Sequence, residues 1–398
     1  MWTGRHVVLG VSGGIASYKS CILARRLAEQ GARVDVILTE GAAEFVRPLT
    51  FEALTSRPVL TSLWQPGAAL EHVRLAQGAD LIIVAPATAH LLARVAQGLG
   101  DDLLTTLLLA ATKPVLLAPA MNDAMFANPA TQDNLSRLQS RGFAVVGPEI
   151  GALAEGPSER PGRMSEPETI LAHAARLLSR GGRLSGKRVV VSAGPTREAL
   201  DPVRVITNRS SGKMGYRLAE AAWQRGAEVV LVTGPSTEAV PQGVTVKRVE
   251  STRDMKGAIA GELAGADVLI MAAAPADYRP ANPADAKQPR ASGAVTLALE
   301  PTEDILLETA SQRKAGSVIV GFALETGDAE AKGRAKLARK KLDLIVVNDA
   351  LEAGAAFEVD TNKVTILDRD GGSIAVPLQS KERVAHAILD VVEARLGR

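Results

Sequence analysis

From His6 onward, short β-branched runs alternate with segments of helical period, and the alternation starts afresh halfway along the chain. The runs HVVLGV, RVDVIL, LIIVA, PVLLA and FAVVG are apolar almost throughout, as strands covered on both faces are. A helix-period stretch from about Ala16 to Gln30 separates the first two. Strands joined through helices pair in parallel, so this alternation predicts a parallel sheet with helices on both faces. Around Ser179 the text becomes SRGGRLSGKR, which has no apolar period and reads as a linker. The pattern then resumes with RVVVSAG, a helix from about Gly212 to Arg225, EVVLVTGP, VTVKRVES, DVLIMAAAP, SVIVGF, LDLIVVND and KVTIL. A helix from about Lys381 to Arg395 closes it. The expected fold is α/β: two doubly wound, Rossmann-like parallel-sheet domains, residues 1–178 and 187–398, joined by a linker over 179–186.

The charges say what such domains act on. Lys and Arg total 46 against 44 Asp and Glu, a net charge of +2, which is too small to imply a nucleic-acid or polyanion surface, leaves room for a local basic pocket, and points to small-molecule chemistry. Lysine is uneven, with two before Ser185 and twelve after, which favours a more highly charged ligand in the second half. A single cysteine, Cys21, excludes an internal disulfide framework and any Cys-based zinc or iron–sulfur site, and fits a reducing cytoplasm. LIIVAPATA and TLLLAATKPVLLAPA are interrupted and short of the roughly 20 residues of a membrane span, and the N-terminus runs straight into a strand with no secretion signal.

In the first half, strand one ends in Gly10-Val11-Ser12-Gly13-Gly14-Ile15-Ala16 and enters a helix. Small residues and a hydroxyl there let backbone N–H groups meet a phosphate at the helix N-terminus. The same glycines would also serve plain strand-to-helix packing. The dinucleotide fingerprint is absent, because Ser12 replaces its second glycine and the second strand ends in Leu38-Thr39 with no acid, so a nicotinamide dehydrogenase is disfavoured. Three more loops fall at the C-terminal ends of expected strands, where open α/β sheets bind ligands. They are Pro86-Ala87-Thr88-Ala89-His90, Pro119-Ala120-Met121-Asn122-Asp123-Ala124-Met125-Phe126, and Gly151 to Gly156 with Pro161-Gly162-Arg163-Met164.

With His72 in LEHVRLA, these loops resemble the flavin-dependent cysteine decarboxylase family, whose domain is flavodoxin-like. The resemblance implies that Ser12, Gly13, Gly14, Thr39, Pro86, Ala87, Thr88 and Met121 hold FMN, that His72 is the catalytic base, that Asn122 binds the substrate carboxylate, and that Arg163 and Met164 belong to a clamp over the substrate. A histidine titrating near neutrality can take a thiol proton while a flavin accepts hydride, after which the thioaldehyde beside the carboxylate loses CO2. His6, His90, His173 and His386 read as ordinary histidines. Pantetheine-forming members carry a cysteine in the clamp as proton donor, where this chain has Glu155. Either Glu155 replaces it as an acid whose pKa is raised by burial, or the flap uses another donor, or reaction stops at the oxidised enethiol.

The second half carries Ser192-Ala193-Gly194-Pro195-Thr196-Arg197-Glu198, then Asp201-Pro202-Val203-Arg204, then Thr207-Asn208-Arg209-Ser210-Ser211-Gly212-Lys213-Met214-Gly215 leading a helix. Hydroxyls, glycine and lysine at a helix start suit an anionic phosphate, and the Walker order is absent. Downstream lie Ala273 to Arg279, Lys287-Gln288-Pro289-Arg290, Gly321-Phe322-Ala323-Leu324-Glu325-Thr326, Lys336, Lys340 and Lys341, and Val347-Asn348-Asp349.

These segments resemble phosphopantothenate–cysteine ligase, and the order of the two halves resembles the bacterial bifunctional coenzyme A biosynthesis flavoproteins over nearly the whole chain. The resemblance implies that Asn208 handles an acyl-cytidylate, Lys287 assists at the phosphates, Lys213 binds substrate, Asp277 sits where Mg2+ is bound, and Phe322, Lys336 and Lys340 bind CTP. A carboxylate attacking a triphosphate needs such cations to offset charge. The family's Lys-x-Lys-Lys run is here Lys287, Pro289 and Arg290, one positive charge fewer. The resemblance also implies a homo-oligomer, a dodecamer of flavin-domain trimers and ligase-domain dimers, with FMN and substrate at subunit contacts. Two other readings of the chain are a flavin-dependent decarboxylase of a different cysteinyl compound and a non-catalytic flavin-binding subunit. The ligase-like second half counts against the first, and the presence of His72 and Asn122 against the second.

Overall fold

The computed structural model describes residues 1–64, 70–289, 296–325, 327–349 and 359–397. Thr326 and Arg290, both part of motifs read above, lie outside the described residues. The chain divides into two compact units, Met1–Leu178 and Ser179–Arg398.

The first unit is built on six parallel strands: β1 His6–Val11, β2 Arg33–Leu38, β3 Val59–Leu60, β4 Leu81–Ala87, β5 Val115–Pro119 and β6 Ala144–Val145, in the spatial order β3-β2-β1-β4-β5-β6. Alternation along β1 makes two cores. Val7, Leu9 and Val11 pack on one face with Leu23 and Leu27 of helix Ser17–Glu29 and Ile170 and Ala174 of helix Pro167–Leu178. Val8 faces the other way, among Ile82, Val84, Leu91, Leu104 and Leu107. Two short antiparallel strands, β7 Glu149–Ile150 and β8 Pro161–Arg163, carry the clamp segment. The winding leaves β1 towards β2 on one side and towards β4 on the other, so the loops after β1 and β4 diverge and open a crevice at their C-terminal ends.

The second unit repeats this winding. Strands β9 Arg188–Ala193, β12 Glu228–Thr233, β13 Thr245–Arg248, β14 Val268–Met271, β17 Val318–Glu325 and β18 Leu344–Asp349 lie in the order β13-β12-β9-β14-β17-β18, all parallel. Two further strands, β19 Thr361–Asp368 and β20 Ser373–Ser380, extend this sheet antiparallel, so it is mixed rather than wholly parallel as the sequence suggested. The reason is the tight link Arg369-Asp370-Gly371-Gly372, with Gly371 at φ +95, which turns the chain straight back into a hairpin instead of through a helix. Two small hairpins, β10 Arg197–Ala199 with β11 Val205–Thr207 and β15 Tyr278–Pro280 with β16 Leu299–Pro301, rise from the loops after β9 and β14.

The stretch 179–186 does not behave as a free linker. Leu184 is completely buried, the Gly186 N–H donates to the Gly226 carbonyl at 3.2 Å, and the Arg183 guanidinium donates to the Glu393 carbonyl at 2.8 Å. One apolar side chain in a Gly/Ser/Arg run is enough to dock it.

Candidate functional site

In the first unit the crevice is stitched by one hydroxyl. Ser12, first residue after β1, donates from Oγ to the Pro86 carbonyl at 2.8 Å and accepts the Thr88 N–H at 3.0 Å, tying the loops after β1 and β4 together. Thr88 and Thr39 each cap a helix, accepting from Leu91 N–H at 3.4 Å and Ala42 N–H at 3.2 Å. Capping uses a hydroxyl's lone pair and leaves its O–H to donate elsewhere. A Cβ on Gly13 would lie 2.7 Å from the Gly41 backbone, so only glycine lets the loops after β1 and β2 close on each other.

Between these loops and the clamp lies a cavity of about 1060 Å3 lined by Ser12, Gly13, Gly14, Thr39 and Thr88, with Met121, Asn122, Glu155, Arg163 and Met164 opposite. Its volume is at the upper end of the roughly 300–1,000 Å3 of small-molecule sites. Hydroxyl donors and small residues at the start of the 13-residue helix Ser17–Glu29 suit a phosphate, and the breadth of the cavity suits a fused ring system.

Asn122 is oriented by its own turn. Its Oδ1 accepts from Ala124 N–H at 2.8 Å and Met125 N–H at 3.3 Å, so Nδ2 is left to project, and it donates to the Glu155 carboxylate. Glu155 is exposed, not buried as the sequence reading had it for a replacement donor. The clamp is fastened beneath: Met121 N–H donates to the Gly162 carbonyl at 3.0 Å, Arg163 pairs with Glu166, and the buried Lys19 ammonium donates to the Met164 carbonyl at 2.9 Å and to Glu166 at 3.0 Å. Lys19 escaped the sequence reading: it shares the buried face of its helix with Ser17, Ser20 and Leu23, and its partners lie far along the chain in the clamp. His90, read as ordinary, also lines the cavity.

Three expected residues do not line it. Pro86 and Ala87 are buried in β4 and act through the Pro86 carbonyl. His72 is half-buried on helix Glu71–Gly78 outside the cavity lining, and its Nδ1 is buried with no hydrogen-bond partner among the described residues. Cys21 lies outside as well; burial pushes its thiol pKa up.

In the second unit the candidate residues are spread over several loops and the helix Ala329–Arg339, and Asn208 meets the loop that bears Asp277. Asn208, just after β11, donates from Nδ2 to the Pro275 carbonyl at 2.9 Å and the Ala274 carbonyl at 3.3 Å. Asp277 and Lys287 are exposed, and Phe322 is half-buried on β17. The backbone next to Lys287 is fixed from below: Asp201 accepts Gln288 N–H at 3.2 Å, while Arg204 donates to the Gln288 carbonyl at 3.0 Å. The Arg204 guanidinium, with three backbone N–H groups, holds the Asp201 carboxyl far below the usual carboxylate range. The lysines are compensated by acids: Lys213 with Asp360 at 2.6 Å, Lys336 with Glu325 at 2.5 Å, and Lys340 with Asp304 at 3.0 Å.

A smaller cavity of about 440 Å3 opens beside Ser210 and Ser211, lined also by Thr233, Ser236, Arg197 and Arg248; Asn208, Lys213, Asp277, Phe322, Lys336 and Lys340 do not line it. Gly234 belongs to this loop, and a Cβ there would lie 1.7 Å from the Pro195 carbonyl oxygen, so the crossing of the two loops requires glycine. Among the described residues no group of three or more His, Cys, Asp or Glu is placed to hold a metal, and no helix is long and apolar enough to cross a membrane. A lone exposed carboxylate such as Asp277 is nevertheless what Mg2+ takes when phosphates supply its other ligands.

Two family models match the chain, Flavoprotein over residues 1–179 and DNA/pantothenate metabolism flavoprotein C-terminal domain over residues 184–396. The coenzyme A biosynthesis bifunctional protein CoaBC of Vibrio cholerae serotype O1 is 45% identical over 397 residues, covering 99% of each chain. The protein of that name from Bacillus subtilis (strain 168) is 46% identical over 399 residues, covering 99% of this chain and 98% of its own. A crystal structure of the C-terminal domain of a coenzyme A biosynthesis bifunctional protein CoaBC is 40% identical, covering 54% of this chain and 98% of that one, with a TM-score of 0.46.

Proposed function

The chain belongs to the family of bifunctional coenzyme A biosynthesis proteins, and from that premise we propose how its residues divide the work. It is an enzyme of coenzyme A biosynthesis with a flavoprotein decarboxylase half that uses FMN and a ligase half. The observation that supports the residue assignments is that the two halves wind alike and that in each a hydroxyl after the first strand is tied to the loop after the fourth, the loops that carry Thr88 and Asp277.

The second half acts first. The carboxylate of 4'-phosphopantothenate attacks the α-phosphorus of CTP and expels pyrophosphate, and the cysteine amine then displaces CMP from the acyl-cytidylate to leave an amide. Lys213, Lys336 and Lys340 offset the phosphate charge by exchanging their carboxylate partners for phosphate oxygens, and the exposed Lys287 adds a further cation. Asp277 is the residue that would hold Mg2+, which lowers the cost of charge on the leaving pyrophosphate. Asn208 holds the acyl phosphate, and Phe322 supports the base.

In the first half, FMN when bound supplies a two-electron acceptor for oxidation of the cysteinyl thiol and returns the pair afterwards, so loss of CO2 to give 4'-phosphopantetheine is redox-neutral. Thr39 and Thr88 would donate to its polar edge, Ser12 would hold the loops after β1 and β4 together around it, the Gly13-Gly14 turn would admit its phosphate, Met121 would shape the wall, and Pro86 and Ala87 would back the cradle from within β4. Asn122 presents Nδ2 to the substrate carboxylate in place of Glu155, and Arg163 and Met164 cover it. His72 takes the thiol proton. Its unpaired Nδ1 and its place outside the cavity of its own chain support a site completed by a second subunit, within a homo-oligomer of trimers and dimers. Glu155, exposed and within reach of Asn122, returns the proton to the enethiol only once the closed clamp has shed water around it. The compartment is the cytoplasm, where Cys21 stays reduced.

The test is mass spectrometry of the products from phosphopantothenate, cysteine, CTP and Mg2+, repeated with Glu155→Gln. The expected product of the parent is 4'-phosphopantetheine, and of the variant an oxidised enethiol. A parent that stops at the enethiol removes the donor role, and one that makes no cytidylate-dependent amide removes the ligase chemistry.

A further inference from the structure

The ligase crossing contains a buried hydrogen-bond chain that none of the assignments above uses. Thr196, Thr252 and Glu198 are 0%, 1% and 6% exposed, in the loop after β9, at the start of helix Thr252–Leu263 and on β10. Thr196 Oγ1 accepts the Ala276 N–H at 2.9 Å and lies 2.9 Å from Thr252 Oγ1. Thr252 gives both its hydroxyl and its N–H to one Glu198 oxygen, each at 2.8 Å.

A hydroxyl has a single proton to donate. Since Thr252 donates its own to Glu198, the proton between the two threonines belongs to Thr196, and the chain runs in one direction from Ala276 N–H through Thr196 and Thr252 to the carboxylate. Charge at the end of such a chain polarises each bond in it. Two arms leave this hub. The Ala276 amide precedes Asp277, and the Ala276 carbonyl accepts the Thr302 hydroxyl at 2.6 Å. On the other side the Thr196 carbonyl accepts the Thr207 hydroxyl at 2.7 Å, one residue before Asn208, whose amide in turn bonds to Ala274 and Pro275.

We propose that Thr196, supported by Thr252 and Glu198, is a positioning residue of the ligase reaction: it holds the loop bearing Asp277 and the turn bearing Asn208 in one fixed relation. The inference rests on the ligase roles given above to Asn208 and Asp277. Thr196 touches no reacting atom; it acts by keeping an amide group and a carboxylate at the separation that the acyl-cytidylate step needs, where a misplacement of about 1 Å costs on the order of 100-fold.

The test compares Thr196→Val, which keeps the shape and removes the hydroxyl, with Thr196→Ser, which keeps the hydroxyl, in the full-length FMN-loaded protein. Ligation from phosphopantothenate, cysteine and CTP is followed beside decarboxylation of supplied phosphopantothenoylcysteine. The expected result for the valine variant is a ligase kcat lower by about 10- to 100-fold, KM for CTP changed by less than about threefold, decarboxylation unaltered, and ligation largely restored in the serine variant. Thr207→Val, at an exposed donor to the same hub, is the second variant should Thr196→Val not fold; it is expected to lower kcat in the same sense by a smaller factor. Parent-like ligation in a folded Thr196→Val or Thr207→Val protein overturns the inference, as does an equal loss in the valine and serine variants. A parent that performs no CTP-dependent ligation instead overturns the ligase reading on which the inference stands.

Discussion

The two halves answer the same winding with opposite surfaces. In each, a hydroxyl beyond the first strand takes an N–H from the loop after the fourth: Ser12 from Thr88 in one, Thr196 from Ala276 in the other. Ser12 lines a large cavity together with the uncharged Gly13, Gly14, Thr39 and Thr88, with charged groups such as Lys19, Arg94 and Arg163 elsewhere on its wall. Thr196 is sealed, and the groups around it that meet solvent are Asn208, Asp277, Lys287 and lysines already paired with acids. A crossing of this kind fixes where a ligand goes but not its chemistry. On the reading proposed above, a resident planar cofactor would be held by shape and hydroxyls, and a transient, highly charged co-substrate by cations that trade one anionic partner for another.

The sharpest way to break this comparison is to disable one half and watch the other. His72→Asn is expected to lower decarboxylation by about 10^2 to 10^4-fold, the contribution typical of a general base, with phosphopantothenoylcysteine accumulating at the parent's rate of ligation. A parallel fall in ligation would show the halves to be chemically coupled. Lys287→Ala is expected to do the reverse, costing ligation about 10^2 to 10^3-fold as loss of a charge-stabilising group does, while the flavin absorption spectrum stays that of the parent.

Structural disruption should respect the same division. Gly234→Ala places a Cβ against the Pro195 carbonyl and is expected to cost about 1–3 kcal/mol, read as a lower unfolding temperature for the ligase half with FMN retention unaltered. Acid sharpens the comparison in another way, since each half closes with a helix carrying a half-buried histidine, His173 and His386. Burial first, and the Arg225 cation second, push His386 down to about 4 from an ordinary 6.5; burial and then Arg176 lower His173. The unfolded chain therefore binds a proton at His386 near pH 6.5 that the native state refuses until about pH 4. Stability is complete above that window and falls through it as pH drops, with a slope approaching about 1.4 kcal/mol per pH unit. Denaturant titrations between pH 7 and 4 should show the slope, and His386→Gln should flatten it. The smallest effect is expected at the flavin cradle: Ser12→Ala removes one hydroxyl among several and should weaken FMN binding by about 1 kcal/mol, roughly fivefold, measured by fluorescence titration of the apoprotein.

Much of this was legible before any coordinates. The strands announce themselves because a parallel sheet covered on both faces needs unbroken apolar runs, whereas the order of the strands in space comes from the structure. The antiparallel edge of the second sheet was less visible, since Ser373–Ser380 has only Val376 buried and carries little apolar signal. Among site residues, those in glycine- and proline-led turns could be picked out, whereas Lys19, Thr252 and Glu198 could not. They work by holding other groups, through contacts such as Lys19 to Glu166 that join positions 147 residues apart, and no local pattern encodes such a pairing.

Leu184 decides where the gene can be divided. A ligase half begun at residue 187 would lack this side chain and leave its fully enclosed seat empty, a loss of the order of 2–5 kcal/mol for a buried leucine. It would also discard the bonds from Gly186 to Gly226 and from Arg183 to Glu393. A half begun at Ser179 keeps them all. Eight residues that look like spare tether thus separate a fragment that should express and survive purification from one that should precipitate or be degraded.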